Sequence, residues 1–161
     1  MNVLRIYVDT SVLGGCFDDE FAPWSTALLR AFHAGRFRAI LSEVIAAEVR
    51  RAPEPIRVAY ADLLASGAEV LTVSDEALQL LAAYQSRAIL PPQFANDLLH
   101  IALATIADVD VLVSWNFKHI VRLDKIRLFN AVNLEFGYRP LSIYSPREVT
   151  PDEEEDTERG A

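Results

Sequence analysis

Short apolar runs of strand length alternate with helix-patterned segments along this 161-residue chain, and that alternation constrains its fold more than anything else in it. Val3–Val8 predicts a first strand. The segments 11–17 and 23–34 predict helices, the second with Pro23 near its start and Gly35 just past its end. Phe37–Leu41 predicts a second strand, Ser42 an N-cap, and 42–51 a helix stopped by Pro53. A helix over 55–65, a strand over 69–73 and a helix over 75–87 capped by Ser74 follow. Pro91 and Pro92 break the chain before an almost wholly apolar helix over 96–107. A fourth strand over 109–113, short helices over 116–122 and 124–133, and a fifth strand over 141–144 complete the body. Strands joined by helical crossovers pair in parallel, and such sheets carry helices on both faces. The expectation is an α/β domain, a three-layer α/β/α sandwich around a mainly parallel sheet of about five strands, with right-handed crossovers.

A length of 161 residues and 52% hydrophobic content suit one domain with an ample core, not a disordered chain. We expect that domain over residues 1–148 and a solvated, disordered acidic tail over 149–161. Residues 152–161 carry six of the 23 acids and one of the 15 bases. The body keeps 17 acids and 14 bases and is only mildly acidic. That balance argues against broad electrostatic capture of nucleic acid, while leaving room for a locally basic groove or a metal-held substrate. Apolar stretches are broken well short of the roughly 20 residues a membrane span needs. Arg5 and Asp9 interrupt the first of them and no basic lead-in precedes it, so neither a span nor a secretory leader is expected. The single cysteine, Cys16, allows no internal disulfide and fits a reducing cytoplasm. No Cys/His spacing resembles a zinc site.

Three acids stand where a parallel sheet would gather them. Asp9 ends the first strand, with the hydroxyls of Thr10 and Ser11 beside it. Glu48 lies on the helix after the second strand, on one face with Val44 and Ile45. Asp97 opens the apolar helix. In an open parallel sheet the carboxyl ends of neighbouring strands share one rim, where ligands bind. Carboxylates brought together there repel unless a cation or a shared proton holds them. Each acid also has a plainer reading. Asp9 suits a helix cap, Glu48 a surface ion pair with Arg50 or Arg51, and Asp97 a helix-terminus acid. Glu43, in the first turn of its helix, is read as structural. His100 lies one turn beyond Asp97 and either steadies that carboxylate or sits satisfied in the core. After the fourth strand, Ser114 and Asn116 reach the same rim, as hydroxyl donor and uncharged oxygen, or as turn and cap. Lys118 and Arg122, with His119, Lys125 and Arg127, either line a phosphate path or form a solvated face. Phe21, Trp24, Phe94 and Trp115 are read as core or interface residues.

Taken in order, Tyr7-Val8-Asp9-Thr10-Ser11-Val12-Leu13, Leu41-Ser42 followed by Glu48, Asn96-Asp97-Leu98-Leu99-His100-Ile101-Ala102-Leu103-Ala104, and Leu112-Val113-Ser114-Trp115-Asn116-Phe117-Lys118-His119 resemble the PIN domain, specifically the VapC-like toxins of bacterial and archaeal toxin–antitoxin pairs. The resemblance runs through nearly the whole body, to Tyr144-Ser145-Pro146. It implies a small α/β/α sandwich and a Mg²⁺- or Mn²⁺-dependent ribonuclease. It also implies an RNA substrate, a cognate antitoxin, a homodimer and a cytoplasmic place of work. By position, Asp9, Glu48 and Asp97 look like the family's first three acids and so its metal ligands. Asn116 stands where the fourth, usually Asp, belongs, and losing that charge would weaken a second metal. Thr10, Ser11 and Ser114 would support the site. A second reading is a catalytically weak or inactive PIN-like module that binds RNA or a protein partner. A third, an aspartate-dependent phosphotransferase, would want an acid two residues after Asp9, where Ser11 stands.

Overall fold

In the computed structural model, which describes residues 3–150, five strands form one sheet in the order β3-β2-β1-β4-β5, every pair parallel. They are β1 Leu4–Val8, β2 Phe37–Ser42, β3 Glu69–Leu71, β4 Val111–Val113 and β5 Ile143–Tyr144. Successive side chains of a strand point to opposite faces. Ile6, Tyr7 and Val8 are all fully buried, so both faces of the central strand are covered. The covering helices are α1 Thr10–Gly15, α2 Ala22–His33, α3 Glu43–Arg50, α4 Glu54–Ala65, α5 Asp75–Ser86, α6 Ala95–Ile106, α7 Leu123–Glu135 and α8 Pro146–Val149. One set, α1 to α4 with α8, packs mutually; α5 packs with α6 and α7. The three-layer α/β/α expectation therefore holds, with a wholly parallel sheet. No helix among the described residues is long and apolar enough to cross a membrane.

Local chemistry sets most boundaries. Ser42 and Ser74 cap α3 and α5, accepting from the amides of Ile45 and Ala77. Gly35, with φ of +76°, ends α2 in the left-handed conformation that glycine adopts without steric strain. The apolar α6 buries Leu98 and every residue from His100 to Thr105.

Several expectations need correction. Residues 116–122 form no helix. The Asn116 carbonyl accepts from both Ile120 N (3.1 Å) and Val121 N (2.9 Å), and its side chain accepts from His119 N (2.9 Å). These bonds close one Asx-type turn, after which Arg122 is extended. The third strand stops at Leu71, because the Val73 amide turns to Glu43 Oε2 at 2.9 Å. Glu43 thus has the structural part expected of it. The fourth strand starts only at Val111, after Asp108 turns the chain out of α6 with φ of +51°. The fifth loses its first residues, because the Leu141 amide bonds Asn130 Oδ1 at 2.7 Å. Helix α8 was not foreseen; Ser145 and Glu148 close it with a capping box. It crosses the expected domain edge at residue 148, and all but the first two residues of the expected tail lie outside the described residues.

Candidate active site

Strand order reverses at β1, whose neighbours are β2 and β4. Asp9 follows β1 at this switch point, where open parallel sheets bind ligands. It is buried and caps α1. Its Oδ1 accepts from Ser11 Oγ at 2.6 Å and from Val12 N at 3.3 Å, and its Oδ2 accepts from Ser114 Oγ at 2.6 Å. Each serine hydroxyl is fixed in turn by an amide: Trp115 N donates to Ser11 Oγ and Asn116 N to Ser114 Oγ, both at 2.9 Å. Those amides leave the hydroxyl protons for the carboxylate. Burial pushes the Asp9 carboxyl above its ordinary range, while His100, the two serines and the Val12 amide pull it back.

The 114–116 segment is braced from behind. The Trp115 ring stacks on Phe21, 4.2 Å between centroids, and its indole N–H donates to Ser25 Oγ at 2.8 Å. Gly15 makes room for that indole, since a Cβ there would sit 2.6 Å from Nε1. Phe21, Trp24 and Trp115 are thus packing residues, as expected.

Glu48, on α3, does not pair with Arg50 or Arg51. Its Oε1 lies 2.7 Å from His100 Nε2. His100 is buried and satisfied, and the carboxylate it steadies is Glu48, not Asp97. Its Nδ1 lies 2.7 Å from the Tyr7 hydroxyl, itself 2.8 Å from Ser42 Oγ. Burial pushes the Tyr7 hydroxyl far up, opposed by the Ser42 hydrogen bond. Asp97 Oδ2 meets His119 Nδ1 at 3.0 Å and Asn116 Nδ2 at 3.4 Å. The His119 ring lies against Phe94, 3.9 Å between centroids.

The fold therefore ties Asp9 to Ser11 and Ser114, Glu48 to His100, and Asp97 to Asn116 and His119. Nothing in the sequence singled out Tyr7, a tyrosine in an apolar strand, or the pairing of His119 with Asp97. Of the two expected phosphate contacts, Lys118 is exposed and Arg122 pairs with Asp124 at 2.8 Å. Arg50 and Arg51 stand instead beside Glu48, lining with it, Ala47 and Asn96 a cleft of about 410 Å³.

Among the described residues, no group of three or more His, Cys, Asp or Glu side chains is arranged to hold a metal ion. The donor chemistry nonetheless suits a hard divalent cation, which takes carboxylate oxygens and waters. Glu48 Oε2 and Asp97 Oδ1 have no protein partner among the described residues, each acid being held through its other oxygen. In metal sites the ligating carboxylates are themselves hydrogen-bonded by neighbouring groups, as these two are. The Thr10 hydroxyl, adjacent to Asp9 in the chain, is also buried without a partner, the only side-chain N or O atom so placed among the described residues.

Residues 6–125 match the PIN domain family, and the chain belongs to it. Its fold is similar to that of VapBC2 from Rickettsia felis, solved bound to a DNA fragment from their promoter, with a TM-score of 0.55 at 13% identity over 88% of this chain and 98% of that one. It is also similar to FitAcB from Neisseria gonorrhoeae, with a TM-score of 0.58 at 15% identity over 89% of this chain and 99% of that one. At such identities these likenesses bear on the fold alone. No curated protein matches the chain.

Proposed function

We propose that this PIN-family chain is a Mg²⁺- or Mn²⁺-dependent endoribonuclease, the toxin of a toxin–antitoxin pair, acting in the cytoplasm as a homodimer. One observation carries most of the weight. Asp9 follows β1, Glu48 lies on α3 and Asp97 opens α6, each held by hydroxyl, amide or imidazole partners, and none is paired with a lysine or arginine among the described residues. Asp9, Glu48 and Asp97 would hold the ion. When bound, the ion would lower the pKa of a coordinated water and offset charge that develops on the phosphate.

The chain's own residues have distinct parts. Ser11 and Ser114 fix Asp9 with their hydroxyl protons, and Thr10, next in the chain, keeps an unused hydroxyl. Asn116 orients Asp97 through its amide. Arg50 and Arg51 would hold backbone phosphates of the RNA in the cleft beside Glu48, more directly than Lys118 or Arg122. No side chain need attack the phosphorus, because water is the nucleophile.

A second reading, a weak or inactive module that binds RNA or a protein partner, draws support from Asn116. Its oxygen is already taken by the His119 amide, so it offers a metal little in place of the family's usual acid. Incubating the purified chain with a pool of structured RNAs separates the two. Cleavage with Mg²⁺ or Mn²⁺ that EDTA stops is the expected result. No cleavage with either ion would replace the nuclease reading with the second. Co-purification with the product of a small adjoining reading frame would test the antitoxin.

A further inference from the structure

A chain of hydrogen bonds runs from the sheet to the rim, through groups that burial makes expensive to leave unpaired. It passes Ser42, Tyr7 and His100, none of them more than 2% exposed, and ends at Glu48. Its ends set its direction. The Glu48 carboxylate only accepts, so His100 Nε2 carries a proton. The Ile45 amide already donates to Ser42 Oγ at 3.4 Å, which leaves the Ser42 hydroxyl proton to be given away. Tyr7 is its only other partner among the described residues. Tyr7 therefore accepts from Ser42 and donates onward to His100 Nδ1, which must be bare. The opposite direction would strand the Ser42 proton in the core, where an unmade hydrogen bond keeps the full desolvation penalty of the group.

We propose that His100 is a positioning residue: Ser42 and Tyr7 hold its ring with the single proton on Nε2, and that N–H fixes Glu48 through Oε1 and leaves Oε2 to the cleft. The hydrogen-bond chain holds whether or not Glu48 binds metal; its use in catalysis rests on the ribonuclease reading above. The Tyr7 and His100 rings meet edge-on, 5.7 Å between centroids, so neither can turn without disturbing the other. Outer partners of this kind typically change metal affinity or activity about 10- to 100-fold when removed.

The test pairs ¹⁵N NMR of the histidine rings with calorimetric titration by MnCl₂. In the wild-type protein His100 should show a protonated Nε2 and a bare Nδ1. In Tyr7→Phe that single tautomer should be lost and Mn²⁺ affinity should fall about tenfold. His100→Gln, whose amide can donate from nearly the same place, should keep most of the affinity that His100→Leu loses. A proton on Nδ1 of the wild-type ring would overturn the proposal. So would unchanged affinity in both Tyr7→Phe and His100→Leu, or equal losses in His100→Gln and His100→Leu. Should the wild type take up no Mn²⁺ at all, the ribonuclease reading fails, and the nitrogen spectrum alone decides the His100 assignment.

Discussion

The two ends of the same sheet treat charge in opposite ways. At the amino end of the strands, Arg5 meets Glu69 at 3.1 Å, gives its amide to Asp110 at 2.7 Å and its guanidinium to the Ala107 carbonyl at 2.9 Å. Acid and base there neutralise each other, half exposed to water. Towards the carboxyl end Asp9, Glu48 and Asp97 are held by hydroxyls, amides and imidazoles, and among the described residues no guanidinium or ammonium is paired with them. An arginine would satisfy Asp9 as well as Arg5 satisfies Glu69, and it would also fill the space where a cation could sit. An end built only for stability would use the first arrangement. The second keeps negative charge available.

The comparison breaks most visibly at Asp9. Asp9→Asn keeps a good helix cap but removes the charge, so ion-dependent cleavage should fall to background in a gel assay of RNA. The same variant should be more stable than wild type near neutral pH. Burial raises the folded-state pKa of Asp9 above its unfolded value. The folded protein therefore binds the proton more readily, and stability falls as pH rises from the ordinary aspartate range through the raised value. The advantage of Asp9→Asn in urea denaturation should be largest above that window and vanish below it. A variant less stable than wild type at neutral pH would show that the hydroxyl donors more than repay the burial.

A smaller effect is expected at Asn116. Asn116→Asp restores a charge next to Asp97 and keeps the oxygen that the His119 amide uses. Mn²⁺ affinity by calorimetry should rise several-fold, and equal affinities would mean that this position lies outside the site. Smaller again is Thr10→Val. Removing a buried hydroxyl that has no partner should stabilise the metal-free protein by about 1 kcal/mol and weaken Mn²⁺ uptake. At the opposite end, Arg5→Ala should cost about 1 kcal/mol of stability, as part-exposed ion pairs do, with cleavage unchanged. A loss of cleavage there would erase the contrast between the two ends.

Much of this was legible in the chain itself. Period and punctuation gave the α/β alternation, and Ser42 and Ser74 announced their helices as caps. Asp9, Glu48 and Asp97 stood out because acids interrupt or adjoin apolar segments. Partner choice was not legible. Glu48 has Arg50 and Arg51 close by in sequence, yet its partner is His100, 52 residues away, because α3 turns that face to α6. Tyr7 looks like any core tyrosine until the fold sets its hydroxyl between Ser42 and His100. The 116–122 segment misled for a local reason: its residues tolerate a helix, but the Asn116 side chain and carbonyl close a tighter turn first.

The central claim is that this rim binds a divalent cation through Asp9, Glu48 and Asp97. Titrating MnCl₂ into the wild type and into Asp9→Asn, followed by calorimetry, tests it most directly. Saturable uptake by the wild type that Asp9→Asn abolishes is the predicted result; no uptake by the wild type, or equal uptake by both, would contradict it.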